Sequence, residues 1–385
     1  MLPRTAAATA LRLAQGFPIV AITGPRQAGK TTLARAVFPD KPYASLEDPE
    51  EREFATADPR RFLARFQEGA VIDEAQRCPP LFSYLQTLVD QRGRLGDFVL
   101  TGSQQLGLLS GITQSLAGRV GLIQLLPFSL AELRAADRFP ENLDEHLFRG
   151  GYPPLYDRPV SPGDWLPNYV MTYLERDVRQ LLAVRDLSLF QRFLKLCAAR
   201  TGQLLNLSSL AADCGISHAT AREWLTVLEA GYIVHLLRPY HRNFGKRLVK
   251  TPKLYFLDTG LAANLLGLRD AATLCTHAQR GALFETLVVA EFAKHAFNAG
   301  LPADFYFWRD SAGHEVDLLL EEAGKLRASE IKSGATLVPE WFAALGRWQS
   351  FAGEDALPPR LIYGGDAAYE RQGVEVWGWR GLAGL

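Results

Sequence analysis

Residues 19–33 read Ile19-Val20-Ala21-Ile22-Thr23-Gly24-Pro25-Arg26-Gln27-Ala28-Gly29-Lys30-Thr31-Thr32-Leu33. The short apolar run at the start reads as a buried parallel strand, and a helical pattern follows the loop. Between them stands Gly24-x-x-x-x-Gly29-Lys30-Thr31, a phosphate-binding pattern in the strand–loop–helix setting it requires. Gly24 and Gly29 allow backbone conformations closed to residues with a Cβ, so successive N–H groups can converge on an anion at the start of a helix. Pro25 stiffens the loop, and Arg26, Gln27, Ala28 and Thr32 complete its lining. Lys30 carries a charge to the β and γ phosphates, and Thr31 offers a hydroxyl to Mg²⁺. The expected cofactors are ATP and Mg²⁺.

Working outward, the next signal is Gly69-Ala70-Val71-Ile72-Asp73-Glu74-Ala75, a small buried strand that delivers two adjacent carboxylates at its end. Asp73 is placed to hold the Mg²⁺ shell, and Glu74 to orient or deprotonate the attacking water. A third strand, 97–104, ends in Thr101, Gly102, Ser103 and Gln104. Ligands of an open α/β sheet lie at the carboxyl ends of its strands, so Thr101 or Ser103 can sense the γ phosphate; a helix cap is the plainer alternative. In Ser115-Leu116-Ala117-Gly118-Arg119-Val120, Arg119 is a candidate to stabilise transition-state charge, within the chain or from a neighbouring subunit, with a surface ion pair as its alternative. Alternating strands and helices imply a mostly parallel sheet covered on both faces.

The wider chain sets bounds on these readings. Its 385 residues are enough for two or three domains, and 48% hydrophobic residues supply core. Forty-two basic and forty-two acidic side chains give a formal net charge of zero, so affinity for nucleic acid would have to come from a local patch. Cys78, Cys197, Cys214 and Cys275 form no C-x-x-C pair, which argues against a zinc site and a disulfide framework. The opening Met1-Leu2-Pro3-Arg4-Thr5 lacks a signal-peptide pattern, and no apolar run reaches the length needed to span a bilayer. The expected location is the cytoplasm, with no membrane partner.

The stretches Gly-Pro-Arg-Gln-Ala-Gly-Lys-Thr-Thr, Val-Ile-Asp-Glu-Ala-Gln-Arg, Leu-Thr-Gly-Ser-Gln and Ser-Leu-Ala-Gly-Arg, in this order, resemble the AAA-like ATPases of bacteria and archaea that carry an uncharacterised C-terminal domain. The match continues through Gly150-Gly151-Tyr152-Pro153 and Tyr173-Leu174-Glu175-Arg176-Asp177-Val178 and so covers nearly the whole chain. The resemblance implies ATP binding and a domain layout, without a substrate.

Residues 140–167 are rich in Pro, Gly and Asp and read as a connector with short helices. A helical pattern is expected over 165–182, with Arg176 either reaching back to the ATPase or held in a structural ion pair. Then Leu207 to Leu225 gives a helix, a turn at Gly215, a Ser217 cap and a second helix, a helix-turn-helix signature. The runs 232–237 and 253–257 look like the two strands of a wing. Between Glu229 and Asp258 there are no acids, while Arg238, Arg242, Lys246, Arg247, Lys250 and Lys253 are interleaved with Tyr240, His241 and Phe244. Such a patch suits DNA phosphates, with Ser217, His218, Thr220 and Arg222 facing the groove; protein docking is the alternative.

In the last hundred residues, an apolar helix carries Glu285 near its start, and strands are expected at 305–308, 316–320 and 328–332. Asp317, then Glu330-Ile331-Lys332, preceded by the helical Glu285, is similar to the active site of the PD-(D/E)xK nuclease superfamily. Carboxylates at adjoining strand ends can bind Mg²⁺, and the lysine two residues on points to the same face and can position water. In that superfamily the helical glutamate assists metal binding.

The fold expected is α/β: an AAA-like P-loop NTPase domain (1–135), a helical connector (136–188), a winged-helix domain (189–258), a linker (259–280) and a restriction-endonuclease-like α/β domain (281–385). Lys30, Thr31, Asp73 and Glu74 would run ATP hydrolysis, and Asp317, Glu330 and Lys332, with Glu285, metal-dependent phosphodiester cleavage. The rival reading is an ATP-dependent switch that cuts nothing and uses its C-terminal domain to bind partners. DNA, a protein partner or further copies of the chain are the partners considered.

Overall fold

The computed structural model describes residues 2–103, 108, 112, 114–174, 186–240 and 249–385. The chain divides into two units. The first gathers Met1–Phe128, Ala230–Tyr232 and Lys294–Pro302, and the second Ser129–Glu229, Ile233–Ala293 and Ala303–Leu385.

In the first unit, β1 (Ile19–Thr23), β2 (Tyr43–Ser45), β3 (Ala70–Asp73), β4 (Phe98–Gly102) and β5 (Val120–Gln124) form one sheet in the order β2-β3-β4-β1-β5. Every pairing is parallel. The run of four apolar residues in β1 follows from burial on both faces. Ile19 and Ala21 join a core with Phe62, Leu81 and Phe82, whereas Val20 and Ile22 join another with Ala6, Ala10 and Leu33. Successive side chains leave a strand on opposite sides, so one segment feeds two layers. Helices α1 (Ala6–Ala14), α2 (Lys30–Val37) and α3 (Leu81–Arg92) supply much of that cover.

In the second unit, α4 (Leu187–Ala198), β6 (Gln203–Leu204), α5 (Leu207–Cys214), α6 (His218–Ala230), β7 (Val234–Leu237) and β8 (Lys253–Phe256) follow one another. The three strands form an antiparallel sheet in the order β6-β8-β7. Phe190 and Phe193 of α4 meet the edge of Trp224 at 5.3 and 5.4 Å. Gly215 has φ +81°, which turns the chain between α5 and α6, and the Ser217 hydroxyl caps α6 by accepting from the Thr220 N–H at 3.1 Å.

The stretch expected as a linker is folded. Residues 259–280 contain α7 (Thr259–Leu265) and α8 (Ala271–Cys275), with Leu261, Ala262, Ala263 and Leu265 buried. The Asp258 carboxylate accepts from the N–H groups of Leu261 and Gly151 at 2.9 and 2.7 Å. A Cβ on Gly260 would lie 2.4 Å from the Arg149 carbonyl oxygen, so the helix start is seated against another part of the chain. Two short helices held mainly by such contacts carry too few turns to show a helical period. The helix expected over 165–182 is also different: an α-helix at Pro162–Tyr169 passes into a π turn at Val170–Leu174. Glu175, Arg176, Asp177 and Leu181 lie outside the described residues.

Helix α9 (Arg280–Asn298) precedes β9 (Phe305–Arg309), β10 (Glu315–Glu322), β11 (Lys325–Lys332), β12 (Arg360–Tyr363), β13 (Tyr369–Arg371) and β14 (Val374–Gly378). The strands form one sheet, β13-β14-β12-β11-β10-β9. The pairs β9–β10 and β10–β11 are antiparallel, whereas β11–β12 and β12–β14 are parallel. Helix α10 (Pro339–Ala352) contributes Leu345 and Trp348 to a core with Trp308, Val316 and Leu319. The chain leaving β7 pairs alongside β9: the Tyr240 N–H donates to the Phe307 carbonyl at 2.7 Å and the Phe307 N–H to the Arg238 carbonyl at 3.2 Å. The small sheet therefore meets the edge of the large one.

Candidate functional site

The loop after β1 is built by backbone constraint. Gly24 has φ +148°, and a Cβ there would stand 2.0 Å from the Leu125 carbonyl oxygen, so a side chain is excluded. Gly29 has φ +92° at the start of α2, and Gln27 takes a left-handed conformation at φ +62°. The Lys30 ammonium folds over the loop and donates to the carbonyls of Gly24 at 3.0 Å and Pro25 at 2.7 Å. Pro25, Ala28 and Lys30 are buried, Thr32 is exposed on the first turn of α2, and Arg26 approaches Glu47 at 3.9 Å.

A buttress of this loop was missed by sequence reasoning. Arg4 is buried and donates from Nη1 to the Ala28 carbonyl and from Nη2 to the Leu126 carbonyl, both at 2.6 Å. Its guanidinium also stacks over Phe128, 4.8 Å from the ring centre. One planar fork thus ties the loop to the segment after β5. A lone arginine before the first helix carries no sequence signal of this kind.

The acid pair arrives where expected. The Thr31 hydroxyl donates to Asp73 Oδ1 at 2.9 Å, the Thr101 hydroxyl donates to the same oxygen, and Tyr43 donates to Oδ2 at 2.9 Å. Burial, and then the Asp73 carboxylate, push the Tyr43 phenol up to about 12. Glu74 is buried in a left-handed conformation, φ +53°, and its Oε2 accepts from Gln76 Nε2 at 2.5 Å and Ser103 Oγ at 3.0 Å. Because β4 lies between β1 and β3, its end sets Thr101 and Ser103 between the loop and the acids. A hydroxyl and a carboxylate this close form an all-oxygen donor set that suits Mg²⁺.

Arg119 is not brought to this cluster. It immediately precedes β5, whose Val120 pairs with Ile19 at the amino edge of the sheet, while the loop leaves the carboxyl edge. Five strand residues separate the two edges by about 16 Å. The guanidinium instead forks onto Asp90, Nε to Oδ1 at 2.6 Å and Nη2 to Oδ2 at 2.7 Å. A role for Arg119 at its own chain's phosphates is thereby overturned, and the surface ion pair is the observed arrangement. Gln104 lies outside the described residues.

In the second unit, Glu285, Asp317, Glu330 and Lys332 do converge. The register that sets Leu318 opposite Ser329, continued one step, places Asp317 beside Glu330. Asp317 Oδ2 accepts from the Ile331 N–H at 2.9 Å, and the Lys332 ammonium lies 2.5 Å from Glu330 Oε1 and 3.5 Å from Asp317 Oδ2. The unexpected member is Lys253. Expected on the basic wing, it is buried, with its ammonium 2.5 Å from Glu315 Oε1, 2.9 Å from Glu285 Oε1 and 3.8 Å from Asp317 Oδ1. Tyr255, two residues along β8 on the same face, donates to Glu285 Oε1 at 2.5 Å.

Burial, and then the Asp317 charge, raise Glu285, and the same two causes push Glu330 up to about 7. Burial pulls Lys253 down, but Glu285, Asp317 and Glu315 more than offset it, so the ammonium is held above its ordinary value. In the metal set expected of Glu285, Asp317 and Glu330, the Lys253 ammonium stands against Glu285 and Asp317, and the Lys332 ammonium against Glu330. Among the described residues, no group of three or more His, Cys, Asp or Glu is arranged to hold a metal ion.

On the remaining wing patch, Arg238 and Lys250 are exposed, as are Ser217, His218 and Arg222 of the helical pair. His241, Arg242, Phe244, Lys246 and Arg247 lie outside the described residues. No described helix is long and apolar enough to cross a membrane.

Three family models match the chain: an AAA domain over residues 16–134, a domain of unknown function (DUF8612) over 140–272, and a domain of unknown function (DUF4143) over 280–382. An uncharacterized protein of Mycobacterium tuberculosis is 36% identical over 339 residues, which is 86% of this chain and 74% of that protein. An uncharacterized protein of Mycobacterium bovis matches to the same extent. The Walker-type ATPase of Pyrococcus abyssi is similar with a TM-score of 0.44 and 15% identity, over 69% of this chain and 96% of that one. The AAA match spans the glycine loop, the acid pair and the strand between them, so the chain is an ATP-binding P-loop ATPase and belongs to the family of these mycobacterial proteins.

Proposed function

We propose that the protein is an ATP-driven switch that acts on DNA. Lys30 and the loop N–H groups hold the phosphates, Thr31 and Asp73 hold Mg²⁺, and Glu74 orients the attacking water. The observation that carries this reading is the convergence of Thr31, Thr101 and Tyr43 on one carboxylate, Asp73, with Glu74 as the next residue. Mg²⁺ would supply charge neutralisation at the phosphates. Ser103 and Gln76 fix the direction of the Glu74 carboxylate beside it.

The DNA-binding part of the reading rests on α4 to β8. Three helices and a sheet ordered β6-β8-β7 support a winged-helix reading, with His218 and Arg222 of α6 exposed to solvent and Arg238 and Lys250 exposed beside β7 and β8. For the C-terminal domain, the helix-then-strands order supports a nuclease-like fold. The ammonium of Lys253 among its carboxylates favours the version of the switch that cuts no DNA.

Three measurements on the full chain test the proposal. ATP turnover should fall to background in Lys30→Ala; an unchanged rate rejects the ATPase assignment. Binding of a labelled duplex, followed by fluorescence anisotropy, should weaken in Arg222→Ala and Lys250→Ala and fall with added salt; equal affinity in all three proteins rejects DNA as the target. Duplex and single strands incubated with Mg²⁺ or Mn²⁺ should stay whole. Cutting that disappears in Asp317→Ala would restore the nuclease reading.

A further inference from the structure

Most of the charge of the acidic cradle in the second unit is already balanced from within. Four carboxylates, Glu285, Glu315, Asp317 and Glu330, face three cations: Lys253, Lys332, and Arg309, whose Nη1 lies 2.9 Å from Glu315 Oε2. We propose that Lys253 is a built-in countercation that stands where a divalent metal would sit, so that the cradle is an ammonium-filled joint between β8 and the C-terminal sheet rather than a metal centre. The proposal deepens the non-cutting reading of the C-terminal domain and is independent of how ATP is used.

The geometry supports it from several directions. An ammonium has three N–H donors and no acceptor, and Lys253 directs its own toward carboxylates supplied by a helix and a strand. Its side chain is only 4% exposed, so water is not an alternative partner for most of its surface. The ammonium lies over the Phe307 ring, with Nζ 5.6 Å from the ring centre. Tyr255 donates to the same Glu285 oxygen. A magnesium ion needs near-octahedral oxygen ligands at about 2.0–2.1 Å, usually with several waters. It cannot share Glu285 and Asp317 with an ammonium held at these distances, since two cations would then be packed against each other.

The position of Lys253 is fixed by topology. Lys253 pairs with Leu237 on β7 and Leu204 on β6, in the middle strand of the small sheet. That sheet is anchored to β9 by the Tyr240 and Arg238 backbone bonds with Phe307. Residues 253 and 255 therefore point into the cradle as a pair from a strand held on both sides.

The test is Mn²⁺ binding to the nucleotide-free full chain, read by electron paramagnetic resonance. All proteins carry Asp73→Asn so that the phosphate loop contributes no metal. The Lys253 protein should show no Mn²⁺ site that Asp317→Asn removes. Lys253→Met, checked for its near-ultraviolet circular dichroism, should gain one tight Mn²⁺ per chain, lost again when Asp317→Asn is added. A Mn²⁺ site in the Lys253 protein that Asp317→Asn abolishes overturns the proposal, and so does a folded Lys253→Met that gains none. Should Lys253→Met fail to fold, the comparison within the Lys253 protein decides by itself. A Mn²⁺ site without DNA cutting defeats this proposal alone; a site together with cutting defeats the non-cutting reading as well.

Discussion

The hydroxyls of Tyr232 and Thr23 stand 2.7 Å apart in the buried interior of the first unit, although 209 residues separate them in the chain. Thr23 donates to the Ile123 carbonyl at 3.3 Å, which leaves Tyr232 as donor to Thr23. Thr23 is the last residue of β1, directly before Gly24, and Tyr232 is held in a left-handed conformation at φ +57°. Tyr232→Phe keeps the ring but removes the hydroxyl that bonds Thr23 and also Gln124, and should lower the stability of the unit by about 1–2 kcal/mol. Because the bond lies at the root of the phosphate loop, ATP affinity should weaken with it. Unchanged urea unfolding and unchanged ATP affinity would show that the contact is incidental.

Arg4 should matter more than its sequence surroundings suggest. Arg4→Met leaves the Ala28 and Leu126 carbonyls without their guanidinium donors in a buried setting, at a cost of about 2–3 kcal/mol. Arg4→Lys should recover only part of this, since an ammonium lacks the planar fork that spans both oxygens. Calorimetric ATP binding should follow the same order: parent, Lys, Met. Equal binding by all three would remove Arg4 from the loop's support.

The two adjacent acids should separate by phenotype. Glu74→Gln keeps a side chain able to bond Ser103 but loses the carboxylate, so turnover should drop by about 10²-fold or more while ATP still binds. Asp73→Asn should instead abolish the Mg²⁺ dependence of nucleotide binding, because its oxygen faces Thr31. Rapid turnover in Glu74→Gln would assign the water-orienting role elsewhere.

His235 gives a pH dependence. Burial, and then the Arg238 charge, lower its value to about 4. The folded protein thus keeps the ring neutral where the unfolded chain, titrating near 6.5, takes up a proton. Its contribution to stability is complete above pH 6.5 and is lost as the pH falls toward 4. His235→Gln should flatten the stability profile in that window by about 1–3 kcal/mol and leave it unaltered above pH 7. An identical slope in parent and variant would contradict this account.

Much of the nucleotide site was legible because its chemistry is local. Gly24, Gly29, Lys30 and Thr31 fall within one turn of chain, and their backbone conformations follow from the missing Cβ and the loop length. The strands that carry Asp73 and Thr101 were legible for a similar reason, as short apolar runs ending in polar residues, and the strand of Asp317 was legible from the apolar run that follows it. Arg4, the helices within 259–280 and the pairing of Arg119 with Asp90 were not, since each depends on neighbours distant in sequence.

By itself, then, the amino-acid order determined a phosphate loop, an acid pair, and a helix followed by carboxylate-bearing strands. Tertiary structure alone decided what stands among those carboxylates. Lys250 and Lys253 look alike in the sequence, three residues apart in one basic stretch, yet the first is exposed and the second buried against Glu285 and Glu315. The difference lies in the pairing of β8 between β6 and β7 and in the backbone bonds that set this small sheet against β9. Burial and long-range register are properties of the packed chain, and no local pattern of charge encodes them.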